Sequence, residues 1–168
     1  MTHPAPTAPP RPSLLRRRAR RGFTLVELLI VVIILAILAA VVIPQFGDTS
    51  ASAKETALVS NLQTIRQAIA LYRVQHDENY PGAASWSEFV NQLTSPTNQD
   101  GTIGGPYGPY LRTGFPVNPV TNTVTGTNVT TMPAGPAGTE AYVYSPANGE
   151  IRANVPGVAP SGTNYWDL

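Results

Sequence analysis

From Leu28 to Ile43 every residue is apolar, and no other stretch of the chain matches that run. Together with Phe23–Glu27 before it, and at about 1.5 Å per residue, this segment predicts a helix roughly 30 Å long, the hydrocarbon thickness of a bilayer. Its β-branched residues are abundant, yet a lone strand in lipid would leave its backbone unsatisfied, so a helix is expected. A secretory signal peptide is the poorer reading: the run is too long for an h-region, and no small-x-small cleavage site follows. Pro44 stands where the run stops and predicts a kink, because it removes a backbone donor and crowds the preceding turn. Gly47-Asp48-Thr49 adds a second weak point.

Helical periodicity then resumes. Leu58, Leu62, Ile65, Ile69 and Tyr72 recur at alternating steps of four and three, on one stripe, opposite a face carrying Lys54, Ser60, Gln63, Thr64 and Gln67. This amphipathic helix should end near His76, ahead of the stop signal Asn79-Tyr80-Pro81-Gly82. Ser85-Trp86-Ser87-Glu88 fits a capping box opening a short helix with Trp86, Phe89, Val90 and Leu93 as its apolar residues, closed before Pro96. Ser95–Gly138 reads as loop. Ala141–Tyr144 and Glu150–Asn154 read as the arms of a β-hairpin around Pro146-Ala-Asn-Gly149, and the tail to Leu168 as mostly loop. The predicted class is α+β: a long N-terminal helix, half in the membrane and half amphipathic, with a small loop-rich domain that docks on the stripe because its own apolar content is thin.

The overall charge of +1 hides a strong polarity. Six of the eleven basic residues (Arg11, Arg16, Arg17, Arg18, Arg20, Arg21) precede Phe23, and all ten acidic residues follow it; the five bases and ten acids from Phe23 onward leave a net of −5. Basic residues beside an apolar span are retained on the cytoplasmic side, which is a better reading of the arginines than a nucleic-acid-binding arm. Residues 1–12, with five prolines, read as a disordered leader. The chain has no cysteine, so disulfides, thiol catalysis and cysteine-based metal sites are excluded.

Candidate chemistry concentrates at Gly22-Phe23-Thr24-Leu25-Val26-Glu27. Gly22 lets a protease approach the peptide bond closely. Phe23 suits an interfacial environment just past it. Glu27 is the anomaly: an acid at the head of an otherwise apolar run costs on the order of 2–3 kcal/mol at the centre of a membrane helix, less near the interface. Thr24-x-x-Glu27 also matches a capping box, so Glu27 has a purely structural alternative. Enzyme signatures are missing: there is no phosphate loop, His-Glu metal pattern or nucleophile elbow. His76, beside Asp77 and Glu78, reads as a solvated helix terminus rather than a general base. Tyr107, Tyr110, Tyr142, Tyr144 and Trp166 read as packing residues.

The combination of basic leader, Gly22-Phe-Thr-Leu-Val-Glu27, apolar run and Pro44 resembles the N-terminal segment of type IV pilins and type II secretion pseudopilins over residues 16–46. The resemblance implies a pilin-like fold. It also implies cleavage by a prepilin peptidase between Gly22 and Phe23, N-methylation of Phe23, and a part for Glu27, with Thr24, in processing or assembly. Ile65-Arg-Gln-Ala-Ile-Ala-Leu-Tyr72 with His76 and Tyr80-Pro81, Gly108-Pro-Tyr-Leu111 and Asn118-Pro119 further resemble the major pseudopilin of type II secretion, and the lack of cysteine leans the same way. A type IV pilus major or minor pilin serving adhesion, motility or DNA uptake is the alternative, followed by an unassembled membrane-anchored protein.

The expected organisation is a cytoplasmic leader at 1–22, a transmembrane and polymerisation helix at 23–46, its amphipathic continuation at 47–80 and a periplasmic domain at 81–168. The expected location is the bacterial inner membrane, single-pass with the N-terminus cytoplasmic, and then a periplasmic filament. Implied partners are the prepilin peptidase, further copies in a helical homopolymer, other pseudopilins, an inner-membrane assembly platform and the lipid bilayer; no nucleic acid is expected. No cofactor is required. The resemblance raises calcium in a C-terminal loop, but such a site needs several hard oxygens, and Ser145–Leu168 offers only Glu150 and Asp167, with Asn148, Asn154 and Asn164 as weak supplements. No ligands are assigned.

Overall fold

The computed structural model describes residues 22–168, with the side chains of 41–48 outside the description. The proline-rich leader and the arginine cluster fall before residue 22, and the kink expected at Pro44 and the weak point at Gly47-Asp48 fall within 41–48; these expectations lie outside the described residues. The chain divides into two compact units, Met1–Val41 and Val42–Leu168.

Helix α1 (Leu25–Gln75) runs through both units. In the first unit it starts where the Thr24 hydroxyl accepts the Glu27 N–H at 3.2 Å, satisfying one of the donors that every helix start leaves unpaired. In the second unit its stripe is the core. Leu58, Leu62, Ile65, Ile69 and Tyr72 are all buried, as their spacing predicts, and Ala68 joins them.

Helix α2 (Trp86–Thr94) is capped by Ser85, whose hydroxyl accepts the Glu88 N–H at 3.1 Å. The Glu88 carboxylate reaches back one residue past the cap, to the Ala84 N–H at 2.7 Å. Phe89 and Leu93 face the α1 stripe and the sheet, and the Phe89 ring stacks on Tyr144 with centroids 4.0 Å apart.

The sheet has three strands in the order β1 (Gly126–Asn128), β2 (Tyr142–Ser145), β3 (Glu150–Ala153). β2 and β3 form the expected antiparallel hairpin, with Tyr142 opposite Ala153 and Ser145 opposite Glu150. Its turn closes through Gly149 N–H to Ser145 O at 2.9 Å. Gly149 lies at φ +72° with the Tyr80 ring against it, so both backbone and space require glycine there. β2 is buried on both faces, as a central strand covered on both sides must be. Its tyrosine hydroxyls are anchored, Tyr142 to Pro116 O at 3.2 Å and Tyr144 to Pro81 O at 2.9 Å.

Strand β1 lies inside a segment the sequence reads as loop. It pairs parallel with β2, Thr127 opposite Val143. Three residues, Gly-Thr-Asn, carry no alternation, and a parallel pairing across the 129–141 crossover has no local turn signature. The tail also contains a short 3-10 turn, Tyr165–Asp167, that buries Trp166.

Candidate functional site

The first unit presents Phe23 and the apolar helix that follows. Its large apolar side chains from Phe23 to Leu38 are all exposed, from 44% at Val31 to 82% at Leu25. Glu27 is exposed too, and among the described residues its carboxylate has no hydrogen-bond or ionic partner. Only the Thr24 half of the capping box is therefore made: Thr24 caps the helix, and Glu27 contributes its N–H but not its carboxylate. At Gly22 no described atom lies within 4 Å of where a Cβ would sit. Among the described residues no neighbour crowds that position.

Among the described residues no helix is long and apolar enough to cross a membrane. The described part of the apolar run ends at Ala40; its remaining residues, 41–43, fall in the stretch whose side chains lie outside the description.

In the second unit the sequence reading of His76 is corrected. It is fully buried, not a solvated terminus. Nδ1 lies 2.8 Å from Tyr72 O and Nε2 lies 3.0 Å from the Thr97 hydroxyl. A carbonyl only accepts, so Nδ1 carries the hydrogen and caps an orphan carbonyl at the end of α1. The ring stacks on Tyr72 at 3.6 Å, edge-on to Tyr107 and Tyr110. The signal was present in the sequence: His76 stands four residues after Tyr72, on the stripe itself. Burial raises the Tyr72 phenol to about 12, with the neighbouring Tyr110, Glu88 and Asp100 adding to the shift.

The family-like motifs in the second unit are structural ties. Tyr110 and Leu111 both donate backbone N–H to Leu93 O, at 2.9 and 2.8 Å. Asn118, fully buried, donates to Ala141 O at 3.0 Å and accepts the Val120 N–H at 2.9 Å, so it joins the central loop to the start of β2. Two adjoining hollows of about 500 and 480 Å³ over α2 share Glu88, Gln92 and Asp100. The Gln92 amide there already donates to Gly101 O and accepts the Gly82 N–H. Among the described residues no group of three or more His, Asp or Glu is placed to hold a metal ion.

The C-terminal carboxylates gather around arginines. Arg152 Nε lies 2.7 Å from Glu150 Oε1, and its Nη1 lies 3.4 Å from both Asp167 Oδ1 and Trp166 O. Its guanidinium sits 5.5 Å from the Trp166 ring centre. Arg66, from α1, donates to Ile151 O at 3.2 Å and Leu168 O at 3.0 Å. The Arg152 hydrogen bond is the main cause holding the Glu150 carboxyl below its ordinary range. Burial, then the charge of Arg152, lowers Arg66.

A helix capped at Thr24, an exposed apolar face, a partnerless Glu27 and a small α+β domain docked on the helix's second half define a pilin-like architecture. The family described as the prokaryotic N-terminal methylation motif matches residues 17–43, and the chain belongs to the type IV pilin and pseudopilin superfamily. It is similar to a fimbrial protein of Pseudomonas aeruginosa, 34% identical over 101 residues, which cover 51% of this chain and 66% of that protein. It is similar as well to type II secretion system core protein G of the same species, 39% identical over 62 residues, 37% of this chain and 44% of the relative. The type IV major pilin of Myxococcus xanthus is 33% identical over 73 residues, 44% of this chain and 30% of that one. The chain thus spans from under a third to just under two thirds of these relatives' lengths. No solved structure gives a significant match. These relatives are structural pilin and pseudopilin proteins rather than enzymes.

Proposed function

We propose that the chain is a pseudopilin of a type II secretion pseudopilus, cut by a prepilin peptidase between Gly22 and Phe23, methylated on the new Phe23 amine and polymerised through its N-terminal helix to support export across the outer membrane. The observation that carries this reading is the exposed apolar helix headed by a carboxylate without a partner. A face this apolar needs lipid or other helices around it. A lone acid within it needs a cation once water is excluded. In a filament that cation is the Phe23 amine of a neighbouring copy, and the pairing sets the axial register, because a mis-staggered subunit leaves both charges unpaired. The glycine at position 22, uncrowded among the described residues, suits a peptidase that needs close approach to a bare backbone.

Before assembly the helix rests in the inner membrane with the second unit in the periplasm, and a platform protein extracts it. Similarity to core protein G and the lack of cysteine favour the pseudopilus. The longer match to a fimbrial protein supports the second reading, a type IV pilin.

Co-expression with a prepilin peptidase tests the core of the proposal. The chain should lose the mass of residues 1–22 and gain one methyl group, and membrane extracts should yield cross-linked ladders that Glu27→Ala weakens. A chain that keeps its leader beside an active peptidase refutes processing, and Glu27→Ala ladders equal to the parent's refute the pairing. Restoring export to a strain lacking its major pseudopilin, without restoring piliation to one lacking its pilin, decides between the two filaments.

A further inference from the structure

The C-terminal segment closes around its own cation. Glu150 and Asp167 are the only acids between Ser145 and Leu168, and all four of their carboxylate oxygens already face N–H donors. Glu150 Oε1 and Asp167 Oδ1 take Arg152 at 2.7 and 3.4 Å. Glu150 Oε2 takes the Asn148 amide at 3.2 Å, and Asp167 Oδ2 takes the Asn164 amide at 2.9 Å. Two of the three amide oxygens named in the sequence are engaged as well, Asn148 Oδ1 by the Glu150 N–H and Asn154 Oδ1 by the Ala137 N–H, and Asn164 turns its amide N–H toward Asp167. The Trp166 carbonyl lies against Arg152 Nη1 at 3.4 Å.

Calcium binds through six to eight oxygens and favours an excess of carboxylate charge. Here two carboxylates are matched by two guanidiniums, Arg152 and Arg66, so a divalent ion entering the cluster would meet a net charge near zero and two repelling neighbours. The residues do not fit the calcium ion that the resemblance to major pseudopilins implies.

We infer that Arg152 supplies from within the chain the positive charge that a bound calcium ion would bring to a C-terminal loop, so that this segment locks onto α1 and the sheet without a divalent cation. The guanidinium gathers two carboxylates and a carbonyl, both oxygen types that a calcium site would use, and lies over the buried Trp166 ring. Arg66 completes the clasp from the helix, through Ile151 O and Leu168 O. A guanidinium fork is well suited to hold several oxygens at once, which a lysine's single ammonium does less well.

The test uses the full chain in detergent. Thermal unfolding is followed by tryptophan fluorescence in millimolar calcium chloride and in EGTA, and limited proteolysis of the C-terminal segment is read by mass. An ion that does not bind the native state cannot shift its midpoint, so the parent's two curves should coincide and its tail should be equally protected in both. Arg152→Gln should lower the midpoint by about 5 °C and expose the tail, with Arg152→Lys falling between the two. A calcium-induced rise in the parent's midpoint overturns the inference, as does an Arg152→Gln chain with an unchanged midpoint and tail. Should Arg152→Gln fail to fold, the parent's calcium comparison decides alone. Because the readout is stability and not assembly, the outcome is independent of which filament the chain builds.

Discussion

Replacing His76 with alanine probes the junction between the end of α1 and the loop that follows α2. The side chain is fully buried, as is Thr97. Truncation removes the 2.8 Å bond to Tyr72 O and the 3.0 Å bond to Thr97. It leaves a buried hydroxyl and a helix-end carbonyl without partners, at about 1–3 kcal/mol for a buried group left unmade. It also empties the space of a ring stacked on Tyr72 at 3.6 Å, and cavities of that kind cost on the order of 2 kcal/mol more. The total expected is about 4 kcal/mol, or roughly 12–16 °C in midpoint for a unit of this size. The assay is thermal unfolding of the detergent-solubilised chain by near-UV circular dichroism, with His76→Gln as the partner variant, since a glutamine keeps polar atoms in place but not the stack. The effect should be larger for alanine than for glutamine. A His76→Ala loss below about 1 kcal/mol, the size typical of exposed positions, would refute the buried bridge and restore a solvated terminus.

Three further outcomes follow from the same core. Tyr72 ionises in the fold at about 12 instead of 10.0, and Tyr142 and Tyr144 are raised in the same sense by burial. A raised folded pKa gives stability that is complete below the unfolded value and lost above it, so the second unit should unfold progressively between pH 10 and about 12; tyrosinate absorbance should rise together with loss of near-UV dichroism, and smooth ionisation of all seven tyrosines near pH 10 with the dichroism intact would refute it. Gly149→Ala should cost about 2 kcal/mol in chemical denaturation, and Gly149→Asn should also destabilise, because asparagine tolerates the +72° φ but not the Tyr80 ring; an Asn variant as stable as the parent would assign the whole requirement to the backbone. Asn118→Ala should cost about 2–3 kcal/mol, since Ala141 O and the Val120 N–H lose their buried partner, with hydrogen exchange speeding up first at the start of β2; uniform exchange along the sheet would contradict that tie.

Much of the fold was decided by neighbours in sequence, and the sequence alone determined those parts. The Ser85 and Thr24 caps, the stop after Gln75, the stripe from Leu58 to Tyr72 and the Pro146–Gly149 turn all rest on interactions within a few residues. The basic residues before Phe23, the Gly22–Glu27 segment and the apolar run are read from spacing along one chain.

Only the tertiary structure decided the rest, because the deciding partners are far apart. His76 is buried by Thr97, twenty-one residues on, in a loop whose path no local rule sets. β1 exists only because β2 passes beside three residues with no strand pattern of their own. Arg66 finds Leu168 across 102 positions. Glu150 and Asp167 looked from the sequence like sparse candidates for a metal; three-dimensional proximity to Arg152 turned them into its counter-ions. Period and capping are written into each segment, whereas the pairing of charges and the burial of a single ring depend on which segments the fold brings together, and that is a property of the whole packed chain.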